Sequence, residues 1–197
     1  MRQRRNLAVS GIALALLAGC GGPRGVPQPV ATGPVLPPPP RPTTLDSVFV
    51  LESGGPPPED TIVVVPSGRR RTILLRRGAP DNSLFATLEF PDSALAGGDS
   101  LRITVSARPG LYAIDLDVDG QLARPGLLTM SYAVHFVAPA GTGDRYGNDL
   151  AFERALFLAR LGPNDRVEFL PTARPGSDLV ATAVDRPGRY LVAAPRY

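Results

Sequence analysis

Carboxylates at alternate positions form the first pattern in this sequence that could do chemistry. They occur in Asp115-x-Asp117-x-Asp119-Gly120, and this spacing opens calcium-binding loops, in which oxygen ligands wrap around the ion. The twelfth position of such a loop needs a bidentate glutamate, but it holds Gly126 here. The residues between the acids are apolar, as in a half-buried strand. We therefore expect an exposed acidic strand face, with a calcium-dependent adhesion module as the less favoured alternative.

Paired acids could also act without a metal. Two carboxylates about 5 to 9 Å apart can hydrolyse a glycosidic bond, one as the acid and the other as the nucleophile or base. The candidates for such a pair are Asp115, Asp117, Glu153 and Glu168. A carboxylate hydrolase is therefore an alternative function, and it requires two of these acids to converge in a concave pocket.

Few residues of this chain could carry out nucleophilic catalysis. The sequence contains one histidine, His135, and one cysteine, Cys20. His135 is predicted to lie on a strand, where Ser131 would be four residues or about 13 Å away, too far to be activated by its imidazole. We expect a simple strand histidine and no enzyme activity, cofactor or metal centre.

The longest polar loop of the sequence, Gly141 to Asp149, is a candidate binding site because loops carry function more often than core strands do. It could bind a glycan, a peptide or a cation, or it could be a mobile hairpin loop. Its candidate binding residues are Asp144, Arg145, Tyr146, Asn148 and Asp149.

Short apolar runs separated by Gly, Pro, Asn and Asp recur about every ten residues after Thr61, which is typical of an antiparallel sandwich. The prediction is an all-β fold, an antiparallel β-sandwich of about 8–10 short strands over 61–197. The predicted strands are Thr61–Val65, Thr72–Leu75, Leu84–Phe90, Leu101–Ser106, Leu111–Val118, Leu127–Phe136, Ala151–Arg160, Arg166–Leu170, Leu179–Val184 and Tyr190–Ala194.

The segment Asp149 to Leu161 is ambiguous. Its Ala, Leu, Glu and Arg content favours a helix. Its strand neighbours and the following turn, Gly162 to Asp165, favour a hairpin. We favour the hairpin.

The N-terminus has the layout of a secretion signal, with three arginines before an apolar run from Leu7 to Ala18. The residues Leu17-Ala18-Gly19-Cys20 resemble the lipobox of bacterial lipoproteins. The resemblance implies cleavage between Gly19 and Cys20 and attachment of acyl chains such as palmitate to Cys20. A cleaved signal with an incidental cysteine is the alternative. Acylation would hold the chain on a membrane, and Gly21 in the next position resembles sorting to the outer membrane in a two-membrane bacterium.

A proline-rich linker is predicted after the signal peptide. Residues 21–60 contain 12 prolines, a composition that resists both helix and sheet, although Leu45–Leu51 is apolar enough to dock as a strand. The predicted organisation is a signal peptide over 1–19, lipidated Cys20 with a disordered linker over 20–60, and the sandwich over 61–197.

Charge excludes nucleic acid as an expected partner. Cleavage removes three of the 21 arginines and leaves 18 basic against 18 acidic residues. The basic residues that remain clustered are Arg69, Arg70, Arg71, Arg76 and Arg77. They could touch anionic lipid headgroups, but solvated hairpin charges are favoured.

The folded part resembles the ZU-five domain, a β-sandwich module of ankyrins and netrin receptors that also occurs in bacterial lipoproteins. The matching residues are Leu88 to Leu95, Leu101-x-Ile103-x-Val105, Gly120 to Tyr132, and Leu179–Val184 with Arg189 to Val192. The resemblance implies an interaction module. Some relatives cleave themselves at His-Phe-Ser, but the aligned residues here are Arg186 to Gly188, which supply neither the histidine nor the hydroxyl.

These patterns together predict a membrane-anchored lipoprotein of the cell envelope with a non-catalytic sandwich. Its expected role is to bind an envelope protein or polysaccharide, or to serve as a structural spacer. The sequence leaves the oligomeric state open.

Overall fold

The structure of this chain is a computed structural model that describes residues 37–94 and 100–197. Antiparallel strands dominate it, so the predicted all-β fold is confirmed. Two short helices are present, α1 (Thr142–Tyr146) and α2 (Asp149–Arg154). The strands are β1 (Thr43–Thr44), β2 (Val48–Val50), β3 (Glu52–Ser53), β4 (Thr61–Pro66), β5 (Arg71–Arg76), β6 (Leu84–Phe90), β7 (Ser100–Ala107), β8 (Ala113–Asp119), β9 (Gly126–Ser131), β10 (Phe136–Val137), β11 (Phe157–Leu161), β12 (Arg166–Phe169), β13 (Ala173–Gly176), β14 (Leu179–Val184) and β15 (Gly188–Pro195).

Two main sheets form the sandwich. The larger has the order β1-β12-β11-β15-β8-β7-β4, with β2 also pairing with β15. The smaller has the order β13-β14-β9-β6-β5, and β3 and β10 form a separate pair. Consequently β4 and β1 are the two edges of the larger sheet, and β5 and β13 are the edges of the smaller one.

Alternation of apolar and polar residues explains why these segments are strands. In β7, Leu101, Ile103 and Val105 are buried, while the residues between them point outward. Such a period of two places one row of side chains between the sheets. The main core is made of these rows and contains the buried aromatic residues Tyr112, Tyr132, Tyr190, Phe85, Phe90 and Phe152.

The segment Thr43–Val50, which we name the strap, binds the outer face of the larger sheet. Its first strand pairs with β12 and its second with β15, whereas β11 lies between those two strands. Leu45 and Val48 of the strap belong to a second hydrophobic cluster. This cluster, separate from the main core, also contains Ala113, Phe157, Ala159, Val167, Phe169, Leu191 and Ala193.

Paired structure therefore begins at Thr43, within the 20–60 range that we predicted as linker. Residues 53–58 are also held, because the backbone of Pro58 bridges to Arg77 at the end of β5. Dense proline did not prevent docking, because the strap between the proline runs is apolar. The predicted signal peptide, Gly19 and Cys20 lie outside the described residues.

Two strand predictions need correction. The predicted strand Ala151–Arg160 is helix α2 in its first half, and only Phe157–Leu161 is strand. The predicted hairpin is confirmed for this second half, since β11 pairs with β12 across the turn. The predicted strand Leu127–Phe136 ends at Ser131, and the chain then bends before β10.

The helices of the described part are too short or too polar to cross a membrane.

Candidate functional site

The predicted binding loop, Gly141 to Asp149, folds as helix α1 and the first residue of α2. Asn148 begins α2, with its side-chain oxygen accepting a hydrogen bond from the Ala151 amide at 2.9 Å, as an N-cap residue does. The loop is thus more ordered than a mobile hairpin. Its charged residues, Asp144, Arg145 and Asp149, are exposed.

Tyr146 has a packing role in this region. Its ring lies 5.6 Å from that of Phe152 and 6.3 Å from that of Phe49, centre to centre. Its hydroxyl donates a hydrogen bond to the Pro195 carbonyl. Burial raises the pKa of Tyr146, and the nearby charge of Arg145 only partly offsets this. The hydroxyl therefore joins the helices to the C-terminal strand and already has its acceptor within the chain.

The acidic strand face is confirmed as an outward row on β8. Alternate residues on a strand are about 7 Å apart, so Asp115, Asp117 and Asp119 form a line and do not surround one point. Asp115 is held by ion pairs with Arg108 and Arg189, the latter at 2.7 Å. Although burial raises the pKa of Asp115, hydrogen bonds from these arginines lower it below its ordinary value.

The four candidate acids of a hydrolase lie on three elements, and the two that are neighbours, Asp115 and Asp117, stand on an outward strand face instead of in a pocket. Asp115 and Asp117 lie on the outer face of β8, Glu153 lies on α2, and Glu168 lies on β12. The Tyr132 hydroxyl lies 3.3 Å from Glu153 Oε1. Burial raises the pKa of Tyr132 to about 12 although Arg174 lowers it. This cluster is a buried polar network that joins α2 to the smaller sheet.

Glu168 does have an acidic neighbour, which the sequence did not suggest. A cleft of about 260 Å³ is lined by both Glu168 and Asp185. Arg160 binds Glu168 at 2.5 Å, and Arg186 binds Asp185 at 3.0 Å. The Arg186 hydrogen bond lowers the pKa of Asp185 more than burial raises it. A general acid needs a raised pKa, so this ion-paired arrangement does not suit acid–base hydrolysis.

His135 is not a strand residue, which corrects our prediction. It lies in the bend between β9 and β10 with φ of 68°. Its Nε2 is 2.8 Å from Asp81 Oδ2. Burial raises the pKa of Asp81, but the His135 hydrogen bond and charge lower it overall. The imidazole packs against Gly55, where a Cβ would lie only 2.5 Å from the ring.

Arg77 is the residue that our sequence reasoning placed least correctly, because it is 2% exposed instead of solvated. Its guanidinium lies 5.0 Å from the Phe85 ring centre and 5.5 Å from that of Tyr112. It donates to Ser53 Oγ at 2.8 Å and to the Pro56 carbonyl at 2.7 Å. Its position shares the face of the buried Ile73 and Leu75, a signal in the sequence that would have found it.

The other arginines of the cluster lie beside an apolar surface. Arg69, Arg70, Arg71 and Arg76 are exposed at the two ends of β5. Two large apolar side chains, Ile62 (61% exposed) and Val64 (54%), point outward from β4 of the larger sheet, whereas Leu74 (49%) points outward from β5 of the smaller sheet. We name Ile62 and Val64 the edge surface, since β4 is an edge of the larger sheet. Its composition suits contact with another macromolecule.

No group of three or more His, Cys, Asp or Glu in 37–94 and 100–197 is arranged to hold a metal ion. Comparisons of this chain with models of protein families, with curated proteins and with solved structures give no match. The ZU-five resemblance therefore stays a prediction, and the edge surface is the candidate site that geometry supports best.

Proposed function

We propose that this chain is a lipid-anchored protein of the bacterial cell envelope and that its sandwich is a non-catalytic binding or structural module. The anchor rests on the apolar signal and on Leu17 to Cys20. Acyl chains on Cys20 would contribute about 0.8 kcal/mol for each buried methylene. In a bacterium with two membranes, Gly21 after the acylated cysteine favours the outer membrane.

The observation that carries the binding role is the exposed edge of the larger sheet. Ile62 and Val64 protrude from β4, which has only β7 beside it among the described residues. An edge strand offers unpaired backbone N–H and C=O groups as well as side chains. The polar loop at Asp144 to Asp149 is the weaker candidate because its central tyrosine is used in packing.

The placement of the tether favours the same role. The chain reaches the sandwich at β1, and β4 is the opposite edge of that sheet. A chain held through Cys20 would therefore be anchored on one side and leave the edge surface free on the other. A partner at β4 would meet no obstruction from the strap.

The anchor is tested by labelling growing cells with an alkyne fatty acid and separating membranes. We expect label and membrane association for the native chain, and loss of both in Cys20→Ala. Gly22→Ala, two residues beyond, is the matched control and should behave as the native chain. Full membrane association of the Cys20→Ala variant would refute the anchor.

The binding role is tested separately with a photoreactive residue placed at Ile62 or at Leu150. Leu150 is an equally exposed apolar residue on α2, at 55% against 61%. We expect crosslinks to an envelope macromolecule or to a second copy from position 62 and few from position 150. Equal yields from both positions would contradict a specific role for the edge surface.

A further inference from the structure

Among the four edges of the two main sheets in the described residues, β4 is the least protected, since its single proline, Pro66, is its last residue. Edge strands usually avoid pairing by being short, charged, proline-containing or bulged. The edge β1 has two residues and follows Pro42. The edge β13 contains Pro175 and a register shift. The edge β5 has a register shift and arginines at both ends.

In contrast, β4 is regular along its length. Its sequence from Thr61 to Val65 has no charge, and all six of its residues pair with β7 without a register shift. Alternate residues of an antiparallel strand direct both backbone groups to the same side. Alternate residues within Thr61–Val65 therefore present N–H and C=O groups toward the side on which the described part of the chain places no strand, whereas Pro66 has no N–H.

The side chains of β4 are apolar on both faces. Val63 and Val65 pack toward the main core, whereas Ile62 and Val64 point outward and are more than half exposed. A short run that is apolar on both faces is typical of a strand covered on both faces. A strand beside β4 whose outward side chains are apolar too would pack sideways against this row through cross-strand pairs.

We infer that β4 pairs in antiparallel register with β4 of a second copy of this chain. This rests on the proposed binding or structural role and names the partner for it. With a two-fold axis at Val63, Ile62 of each copy lies opposite Val64 of the other. This register keeps the outward residues of both copies on one face. The two larger sheets then form one continuous sheet, and its outward face carries two cross-strand pairs of Ile62 with Val64.

Charge favours a second copy over an unrelated strand. The exposed acids Glu59 and Asp60 precede β4, and the exposed Arg69 and Arg70 follow it. An antiparallel two-fold arrangement brings the acidic end of each strand beside the basic end of the other. The same patch on both copies is then self-complementary, as a two-fold interface requires, and a parallel arrangement would instead place like charges together.

Disulfide crosslinking in cells tests the register. Two differently tagged full-length copies carry Ile62→Cys and Val64→Cys respectively, and Cys20 is the only native cysteine. Opposed strand residues have Cα atoms about 4.5 to 5.5 Å apart, within the range of a disulfide. We expect a disulfide dimer that contains both tags. Replacing Ile62→Cys by Leu150→Cys, and native chains without added cysteines, are the controls and should give none.

A charge exchange in purified, detergent-solubilised chain tests complementarity. In sedimentation experiments, Glu59→Arg with Asp60→Arg should raise the dimer dissociation constant at least about tenfold, since like charges then meet at both ends of the interface. Adding Arg69→Glu and Arg70→Glu to the same chain should restore the native value. Asp117→Arg with Asp119→Arg, on the central strand β8, is the matched control and should leave association unchanged.

The inference and the proposed function fail in distinguishable ways. A native chain that stays monomeric at all concentrations, with no disulfide between copies, overturns self-pairing. Crosslinking of position 62 to a different protein also overturns it, while leaving the binding role intact. Crosslinking between copies in cells whose chain is found in the soluble fraction supports self-pairing and refutes only the lipid anchor.

Discussion

The two edges of the larger sheet differ in strand length and in exposure. At one edge, β1 is two residues long and forms the start of the strap. The rest of the strap packs on the neighbouring strands through the second hydrophobic cluster. At the other edge, β4 is six residues long, regular and apolar on its exposed side. The strap thus covers the sheet near the β1 edge, whereas the described residues leave the β4 edge exposed.

The two edges also differ in how their apolar side chains contribute to folding. The segment that enters from the N-terminal side buries apolar residues, such as Val48, in the second hydrophobic cluster on the outer face of the larger sheet. The side chains of Ile62 and Val64 on β4 are instead exposed, so they add little to the stability of a single copy. Substitutions at the two edges should therefore differ sharply in their effects on folding and on association.

The largest effect on folding is expected at the covered edge. Phe169 is 5% exposed and packs edge-to-face on Phe157 with ring centres 6.0 Å apart. We expect Phe169→Ala to lower the free energy of unfolding by about 3 kcal/mol, because it removes a buried ring and leaves a cavity. Urea denaturation of the chain measures this. The counterpart Ile62→Ala should cost less than about 0.5 kcal/mol, and equal losses at both positions would erase the contrast between the edges.

The next largest effect is expected at Arg77, which fixes the segment leading into β4. Arg77→Met keeps the length of the side chain but leaves the Ser53 hydroxyl and the Pro56 carbonyl without their donor. We expect a loss of about 2 to 3 kcal/mol in the free energy of unfolding, because buried polar groups lose charged hydrogen bonds.

The control for this change is the preceding residue. Arg76 is exposed and its main contact is a hydrogen bond to the Asn82 carbonyl at 3.2 Å. Arg76→Met should change the unfolding free energy by less than about 0.5 kcal/mol. Hydrogen exchange should also show faster exchange over residues 53–60 in Arg77→Met alone. If both variants behave alike, the buried arginine does not hold the approach to β4.

The sequence predicted the strands better than it predicted the contacts between them. The alternation in Leu101 to Val105 marks a strand because the period of two is a local property. Helix α2 was only the less favoured alternative because its six residues offer one buried side chain, Phe152, and its cap, Asn148, was interpreted as part of a loop. The strap was recognised only in part, since its cluster joins residues more than a hundred positions apart.

The candidate site was harder to predict than the fold, and the physical reasons differ by residue. Tyr146 was a candidate residue of a possible binding loop, but it packs on Phe152, a contact that spacing alone does not reveal. Arg77 was expected in solvent because a charge is rarely buried without partners, and its partners come from distant segments. Ile62 and Val64 were assigned correctly to a strand, but which strand becomes an edge depends on topology.

A smaller effect with a defined pH dependence is expected between the edges, on β8. Arg108 and Arg189 hold the pKa of Asp115 below its ordinary value of 3.8. A lowered pKa in the folded state contributes stability above pH 3.8 that is lost as pH falls through the folded value. At neutral pH we expect Asp115→Asn to cost about 1 kcal/mol, since the pair is partly exposed. At acidic pH, once the carboxyl is protonated in the folded chain, the variant and the native chain should converge.

Asp117→Asn is the matched control for this pH dependence. Asp117 lies two residues further on the same face of β8, and the described residues place no ion-pair partner beside it. The change in unfolding free energy that Asp117→Asn causes should be the same at neutral and at acidic pH within about 0.3 kcal/mol. A loss in Asp115→Asn that persists undiminished at low pH would show that the arginines do not act through the ionised carboxylate.

The smallest effect on folding, and the sharpest contrast between the edges, is expected for Ile62→Lys. The side chain is 61% exposed and points away from the core, so the unfolding free energy of the monomer should change by less than about 0.5 kcal/mol. Two-fold pairing brings both new charges into one interface, so the dimer dissociation constant should rise at least about tenfold. Leu150→Lys is the matched control and should change neither quantity. Sedimentation velocity and urea denaturation on the same samples separate the outcomes. If Ile62→Lys destabilises the monomer as much as Phe169→Ala does, then β4 is covered by the chain itself, and the two edges are equivalent after all.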